Sequence, residues 1–204
     1  MGDILYIFIT YKNNFVKSHN RIIKMMNNLN YKDYIIVLGG INNYFNLKNK
    51  ILFLKCNDNY EGLPEKIIKT YNFIYRSNLY IKYKYICKCD DDIIINKLIE
   101  SNKLYDYCGN LRNSYIGDRE WHIGKCSKNS IFNNKKYEGE YVPWCLGGYG
   151  YIISSKILHY IINEKKEYKN EIYEDLYIAK ILYKNNIFPK HINIKEYLYS
   201  EDHQ

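Results

Sequence analysis

Residues 83–96 read Tyr-Lys-Tyr-Ile-Cys-Lys-Cys-Asp-Asp-Asp-Ile-Ile-Ile-Asn and are the most informative segment for the fold. Its first half is apolar and β-prone, and it leads directly into three consecutive carboxylates, Asp90, Asp91 and Asp92. The apolar run Ile93–Ile95 follows them. This pattern predicts a buried strand, an acidic turn and a second buried segment.

The three adjacent carboxylates repel one another. An unpaired buried carboxylate costs several kcal/mol or takes up a proton, so a cation, several donors or water must share the charge. Hard oxygen ligands with no nearby Cys/His quartet favour Mn²⁺ or Mg²⁺ over Zn²⁺. The alternative interpretation is a solvated acidic turn that caps a helix after Asn96.

Length and charge restrict the class of protein. A chain of 204 residues is long enough for one domain with its own core. The net charge of +8 suits an anionic partner, and nucleic acid, an acidic membrane and a nucleotide diphosphate all qualify. Lys, Asn, Ile and Tyr are over-used along the whole chain, which indicates the codon bias of an AT-rich genome more than a binding signature.

The cysteines and the N-terminus indicate the cellular setting. The six cysteines lack the paired spacing of a zinc site, and a chain of this size does not need disulfides, so we expect reduced thiols. Met1–Thr10 has an acid at Asp3, no basic n-region and only a short apolar run. It predicts neither a signal peptide nor a membrane span. We therefore expect a soluble, cytoplasmic protein.

Strands and helices alternate before the acidic turn. Asp3–Thr10, Tyr34–Leu38 and Ile51–Leu54 have the length and composition of buried strands. Phe15–Leu29 and Leu63–Ile74 carry apolar residues at helical spacing. Such α/β proteins bind ligands at the carboxyl ends of parallel strands, which favours the functional interpretation of the acids.

The pattern after the acids is less regular. It predicts a helix from Leu98 to about Leu104, a short strand Tyr105–Leu111 and a long loop or hairpin over Asn113–Glu140. A loop of this length is often a lid or a binding loop. Trp121 and His122 within it fit two interpretations, packing beneath the loop and contact with an acceptor substrate.

Two later segments complete the set of candidate motifs. Gly147, Gly148 and Gly150 interrupt an aromatic and apolar run, which indicates a sharp turn or a close approach to a ligand. Glu174-Asp175 opens the helical pattern of Ile172–Leu182, where acids usually act as caps. Between them, Lys156–Ile162 predicts another helix that starts after two serines.

Taken in order, these segments resemble the β-1,3-glycosyltransferases of the galactosyltransferase and Fringe type, grouped as family 31. The resemblance rests on four motifs in the order of that family: Asp58-x-Tyr60-x-x-Leu63-x-x-Lys66, Lys88-x-Asp90-Asp91-Asp92 with Asn96, Gly147-Gly148-x-Gly150-Tyr151 with Ser154, and Glu174-Asp175-Leu176. The segment Thr10–Arg21 is similar to the start of the Fringe domain. Gly62 and Pro64 depart from the Asn and Thr of the family pattern.

The resemblance implies a single GT-A-type nucleotide-sugar-binding domain over residues 1–204, with a mostly parallel central sheet flanked by helices. It further implies a metal-dependent, inverting hexosyltransferase. Such an enzyme moves galactose, N-acetylglucosamine or glucose from a UDP-sugar donor to a hydroxyl of a glycan or glycoprotein acceptor, through a β-1,3 linkage.

The resemblance also implies a role for each site residue. Asp175 corresponds to the catalytic base. The Mn²⁺ or Mg²⁺ ligands correspond to Asp92, Asp90 and a C-terminal histidine, for which His203 is the first choice and His191 the second. The remaining donor-binding positions are Thr10, Arg21, Lys66, Asp90, Asp91, Gly147 and Gly148.

Two other functions compete with sugar transfer. A metal-dependent nucleic-acid enzyme or nucleic-acid-binding protein would use the positive charge and the carboxylate cluster. The basic residues are scattered and form no stripe, so we expect no specific nucleic acid partner. A catalytically dead sugar-binding module would lack the base, and Asp175 argues against it.

Overall fold

The computed structural model of the chain describes residues 2–113, 118–164 and 167–200. Its strands are β1 Ile4–Ile9, β2 Tyr34–Gly40, β3 Tyr44–Asn46, β4 Ile51–Lys55, β5 Tyr85–Asp90, β6 Ile93–Ile95, β7 Tyr107–Gly109, β8 Leu111–Arg112, β9 Trp144–Cys145, β10 Tyr151–Ser154, β11 Lys190–His191 and β12 Leu198–Ser200. Its α-helices are α1 Phe15–Asn28, α2 Leu63–Arg76, α3 Leu79–Lys82, α4 Leu158–Asn163 and α5 Glu174–Lys184.

Eight of these strands form one sheet in the order β11-β7-β10-β5-β1-β2-β4-β3. Only β3 and β10 run against the direction of the other strands in it. The predicted α/β class with a mostly parallel central sheet flanked by helices is therefore confirmed.

The middle of the sheet is built on β1, whose six residues are all buried. Alternate side chains of a strand point to opposite faces. Leu5, Ile7 and Ile9 pack in one core with residues of α2, α4 and α5, and Ile4, Tyr6 and Phe8 pack in a second core with residues of α1. The helices therefore cover both faces of the sheet.

The register of the central strands places their carboxyl ends together. Ile9 of β1 pairs with Asp90 of β5 on one side and with Val37 of β2 on the other. Since the three strands are parallel, their final residues lie at one edge of the sheet. The acids that follow β5 begin at this edge.

One predicted helix is wrong. Between Leu98 and Leu104 the chain forms only a 3₁₀ turn over Ser101–Lys103. Ile99 is buried there, whereas Leu98 is exposed. A single buried side chain does not give the apolar stripe on which short helices depend, because most of their stability comes from packing. The predicted strand Tyr105–Leu111 is divided into β7 and β8.

The remaining helix predictions agree with the structure to within a few residues. Pro64 lies in the first turn of α2, and Glu174 and Asp175 lie in the first turn of α5. The predicted helix after Ser154 and Ser155 begins as a 3₁₀ turn and continues as α4.

The cysteines are all unpaired, as expected for reduced thiols. Cys87 and Cys89 lie buried on one face of β5, with their sulfur atoms 3.7 Å apart. Within the part of the chain that the structure describes, no helix has both the length and the apolar character needed to span a membrane.

Candidate functional site

The three acids at the end of β5 have three different sets of partners. Asp90 is the last residue of β5, Asp91 and Asp92 form the turn, and β6 begins immediately afterwards. All three side chains are partly exposed. The turn therefore separates three carboxylates that the sequence alone presents as one cluster.

Asp91 is held by the start of the chain. Its Oδ2 accepts hydrogen bonds from Thr10 Oγ1 at 2.6 Å, Asn14 Nδ2 at 2.7 Å and Ser18 Oγ at 2.6 Å. These donors come from the end of β1 and from the first turns of α1, so Asp91 ties both to the acidic turn. Contact of Thr10 and Asp91 with a donor substrate stays a prediction, and this geometry favours a structural role for both.

Asp90 shares a buried cation with a second acid. Lys88 Nζ lies 2.6 Å from Glu174 Oε1 and also contacts Asp90 Oδ1. Lys88 and Glu174 are buried, and Tyr151 donates a further hydrogen bond to Glu174 at 3.1 Å. Two carboxylates and one ammonium leave the cluster with a net negative charge when all three are ionised.

Burial and neighbouring charges shift the pKa values of the three residues in this cluster. Burial raises the pKa of Asp90 to about 6, even though Lys88 opposes the shift. Burial also raises the pKa of Glu174. For Lys88 burial acts in the opposite direction, but Asp90 and Glu174 outweigh it and hold its pKa well above the ordinary value.

Asp92 contacts the C-terminal strand. Ser200 Oγ donates a hydrogen bond to Asp92 Oδ2, because β12 pairs antiparallel with β6 and brings Ser200 opposite Ile93. The first-choice metal ligand, His203, falls outside the described residues. The second choice, His191, lies on the edge strand β11, three strands from β5 in the sheet order.

Asp175 lies in the first turn of α5, partly exposed. Its Oδ2 accepts from the Gly147 N–H at 2.8 Å, and its Oδ1 accepts from the Leu176 N–H at 2.8 Å. Burial raises its pKa, although these two backbone donors and Lys88 oppose the shift. The two backbone donors thus fix the orientation of the carboxylate.

The packing around position 147 requires a glycine. A Cβ atom there would come within 2.7 Å of Glu174 Oε1, and the Gly147 carbonyl accepts from Lys88 Nζ at 3.4 Å. The 3₁₀ turn Gly147–Tyr149, which includes the partly exposed Gly148, is therefore clamped between β5 and α5. This turn connects the Asp90 side of the site with the Asp175 side.

A second network lies at the carboxyl ends of β1 and β2. Lys66 is buried on α2 and donates to the Thr10 carbonyl at 2.9 Å and to Asp58 Oδ1 at 2.7 Å. Asp58 also accepts from the backbone N–H groups of Gly39 and Lys12, each at 2.7 Å. Lys66 therefore fastens the strand ends to α2, and its predicted contact with the donor stays untested.

An open cleft of about 740 Å³ lies beside this network. Tyr11, Lys12, Gly39, Phe53 and Asp58 are among the residues that line it. Asp90, Asp91 and Asp92 are not among the residues that line it. Arg21, another predicted donor ligand, lies on α1, three residues beyond Ser18.

The loop after Asp118 packs against the start of α5. His122 is buried, and its ring nitrogens lie 2.9 Å from Tyr173 Oη and 3.0 Å from the Phe132 carbonyl oxygen. This settles His122 as a packing residue. Trp121 is 52% exposed, and Lys125 Nζ lies 3.1 Å from the centre of its ring.

Comparison with known proteins identifies the family. The family model described as Galactosyltransferase matches residues 45–193, about three quarters of the chain. The chain belongs to the galactosyltransferase family. The match includes the Asp58–Lys66 segment, the acidic turn, the Gly147 turn and Asp175, and it begins after Thr10 and Arg21.

Two further comparisons add little to this. No curated protein matches the chain. Among solved structures, it is similar to a 2.76 Å crystal structure of a Bacillus anthracis protein assigned as a glucose-1-phosphate thymidylyltransferase, in complex with sucrose. The identity is 11% and the TM-score 0.47, over 93% of this chain and 87% of that chain.

The residues of this galactosyltransferase-family site fit a divalent cation by donor type and charge. Asp90 and Asp92 offer hard carboxylate oxygens, and the Lys88 cluster carries an excess negative charge. Among the described residues, no group of three or more His, Cys, Asp or Glu side chains is arranged to hold a metal. A substrate diphosphate or a group outside the described ranges would have to complete the coordination.

Sequence reasoning gave no role to two residues that organise the site. Lys88 was only the first residue of the acidic motif, yet its ammonium group forms ion pairs with both Asp90 and Glu174. A lysine inside an apolar strand was the available signal, because lysine is rarely buried without a partner. No feature of the sequence indicated a role for Ser200, because its hydrogen-bond partner Asp92 lies far away in the sequence.

Proposed function

We propose that this member of the galactosyltransferase family is a metal-dependent, inverting glycosyltransferase. Its donor would be a UDP-sugar carrying galactose, N-acetylglucosamine or glucose, and its acceptor a hydroxyl of a glycan or glycoprotein, joined through a β-1,3 linkage. One observation carries the proposal. The Lys88–Glu174 ion pair links Asp90 to the first turn of α5, and the Gly147–Tyr149 turn contacts both Lys88 and Asp175.

The donor side is the edge formed by Asp90, Asp92 and the 740 Å³ cleft. The cleft has mostly apolar walls that include Tyr11 and Phe53, which suits a nucleobase. Asp90 and Asp92 would hold Mn²⁺ or Mg²⁺, which when bound acts as a Lewis acid on the departing diphosphate. Lys12, which also lines the cleft, adds positive charge for an anionic donor.

Asp175 is proposed as the general base. Its two oxygens are oriented by backbone N–H groups, and its raised pKa makes the carboxylate a stronger proton acceptor than an ordinary Asp. It would accept the proton of the acceptor hydroxyl as that oxygen attacks the anomeric carbon. Attack opposite the leaving diphosphate inverts the anomeric centre.

Trp121 and Lys125 are proposed to contact the acceptor. The exposed indole is carried by a segment that His122 anchors to Tyr173, the residue before Glu174 and Asp175. Lys125 lies over the Trp121 ring and 6.0 Å from the centre of the Tyr60 ring. The loop therefore presents an aromatic surface beside the proposed base.

A nucleotide screen tests the donor class. We expect UDP to raise the melting temperature in the presence of Mn²⁺, with smaller shifts for GDP and CMP and for UDP in EDTA. Asp92→Asn should remove the Mn²⁺-dependent shift and keep the fold, because the Asp92 side chain is bonded only to Ser200 within the described structure. Glu138→Gln, an exposed acid paired with Lys135, is the matched control. Equal shifts for all three nucleotides, or an Asp92→Asn variant that binds Mn²⁺-UDP normally, would refute the assignment.

A further inference from the structure

A second cleft, of about 530 Å³, lies at the amino-terminal end of β5, whereas the acids lie at its carboxyl end. Its lining includes Tyr85, the first residue of β5, and Ser154, the last residue of the antiparallel β10. Asp90 is at the other end of β5, so about 16 Å of strand separates the cleft from the acidic turn. The cleft is therefore distinct from the proposed active site.

The walls of this cleft are aromatic. Tyr75 and Tyr80 stack with their ring centres 4.6 Å apart and their planes at 13°. Both are only partly buried, and Tyr83, Tyr85 and His159 extend the aromatic lining. The pair lies at the end of α2 and in α3, and the stacking restrains both rings, so a ligand would contact aromatic groups that are already ordered.

The cleft offers both hydrogen-bond donors and hydrogen-bond acceptors. Among the residues that the structure describes, the hydroxyls of Tyr75 and Tyr80, the ammonium of Lys156 and the carboxylate of Asp106 have no hydrogen-bond or ion-pair partner. Lys84 is already paired with Asp3 at 3.0 Å. The remaining charges, Lys156 and Asp106, are opposite and balance one another. A phosphate or other anion would find no excess of positive charge there.

We propose that this cleft binds a neutral oligosaccharide. A sugar ring offers an apolar C–H face to aromatic rings, and its hydroxyls both donate and accept hydrogen bonds, as this lining requires. The inference comes from the chemistry of the cleft and does not depend on the proposed transfer reaction. One consequence does rest on the proposed function: a long glycan acceptor held here would have a higher effective concentration at the proposed active site.

Amide NMR spectra of the full chain test the proposal. Maltotriose, lactose and N-acetyllactosamine are titrated separately, with sodium phosphate and UMP as anionic probes. We expect at least one neutral sugar to shift the amide signals of Ile81, Ser155 and Lys156, with a Kd of about 1–10 mM. The anions should leave these signals unchanged. Absence of shifts with all three sugars, or shifts with the anions alone, would overturn the proposal.

Substitutions localise the binding. Tyr80→Ala should weaken sugar binding about two- to tenfold, and Tyr80→Phe, which keeps the ring and the fold, should weaken it less. Tyr183→Ala is the control, because Tyr183 is an exposed tyrosine that packs edge-to-face on another aromatic ring, Phe188, outside the cleft. Equal affinity in wild type and both Tyr80 variants would overturn the proposal. Mn²⁺-UDP binding, measured on the same samples, reports independently on the proposed active site.

Discussion

Asp175 has two possible roles that make different demands on one residue. As a cap it needs only an oxygen that accepts from the Gly147 and Leu176 N–H groups, and Asn supplies one such oxygen. As a base it needs a carboxylate. The raised pKa and partial exposure favour the second role.

Asp175→Asn separates these roles. We expect kcat for sugar transfer to fall about 10²- to 10⁴-fold, because the proton acceptor is lost, while the Kd for Mn²⁺-UDP stays within a factor of two or so. Both quantities are measured on the same preparation, with Glu138→Gln as control. A near-normal kcat would leave Asp175 as a cap and redirect the search to Glu174. Loss of UDP binding as well would indicate misfolding or a metal role.

The proposed role of Asp90 as a cation ligand predicts how cation binding depends on pH. Its pKa of about 6 means that the carboxylate becomes protonated as the pH falls through this value, and only the ionised form is a ligand. We therefore expect Mn²⁺ affinity in calorimetric titrations to be constant above about pH 7. Below about pH 6 it should weaken by about tenfold per pH unit for a single linked proton. An affinity unchanged between pH 7 and pH 5 would remove Asp90 from the cation site.

At the scale of elements, Lys66 joins α2 to the ends of β1 and β2. Lys66→Met keeps the apolar stem and removes the donor, which leaves the Thr10 carbonyl and one oxygen of Asp58 without this partner. We expect the free energy of unfolding in urea to fall by about 1–3 kcal/mol. Lys103→Met, which removes an exposed ion pair with Glu100, should change it by no more than about 0.5 kcal/mol. Equal effects of the two substitutions would show that the Lys66 network contributes no special stability.

The elements that the sequence predicted well are those whose patterns are local. Helices α1 and α2 repeat apolar residues along one face, and most of those residues are buried, namely Ile22, Met26, Ile67, Tyr71 and Ile74. Strand β10 was missed, because a four-residue run in a glycine-rich segment does not reveal that it inserts antiparallel between β5 and β7.

The same distinction holds for the candidate site. The acidic turn and the start of α5 could be predicted because their residues are adjacent in the sequence. The separate partners of the three acids could not be predicted. Glu174, which shares Lys88 with Asp90, comes from a distant segment, and so do Ser200 and the start of α1.

For the whole molecule, the net charge of +8 raises the question of nucleic acid. The comparison assigns the chain to the galactosyltransferase family, and we expect the positive charge to act through unspecific attraction only. Binding to single- or double-stranded DNA, followed by fluorescence anisotropy, should be weak at physiological salt and decline steeply as salt increases. Submicromolar binding that resists salt would revive the alternative of a nucleic-acid enzyme.

The most direct test of the proposed function measures UDP release. The protein is incubated with UDP-galactose, UDP-N-acetylglucosamine or UDP-glucose and a mixture of glycan acceptors, in Mn²⁺ or in EDTA, beside the Asp175→Asn variant. The proposed function predicts that one donor releases UDP in Mn²⁺, that EDTA abolishes the release, and that Asp175→Asn lowers it at least about 10²-fold. UDP release at the same rate in EDTA, or no release from any of the three donors above the rate without protein, would contradict it.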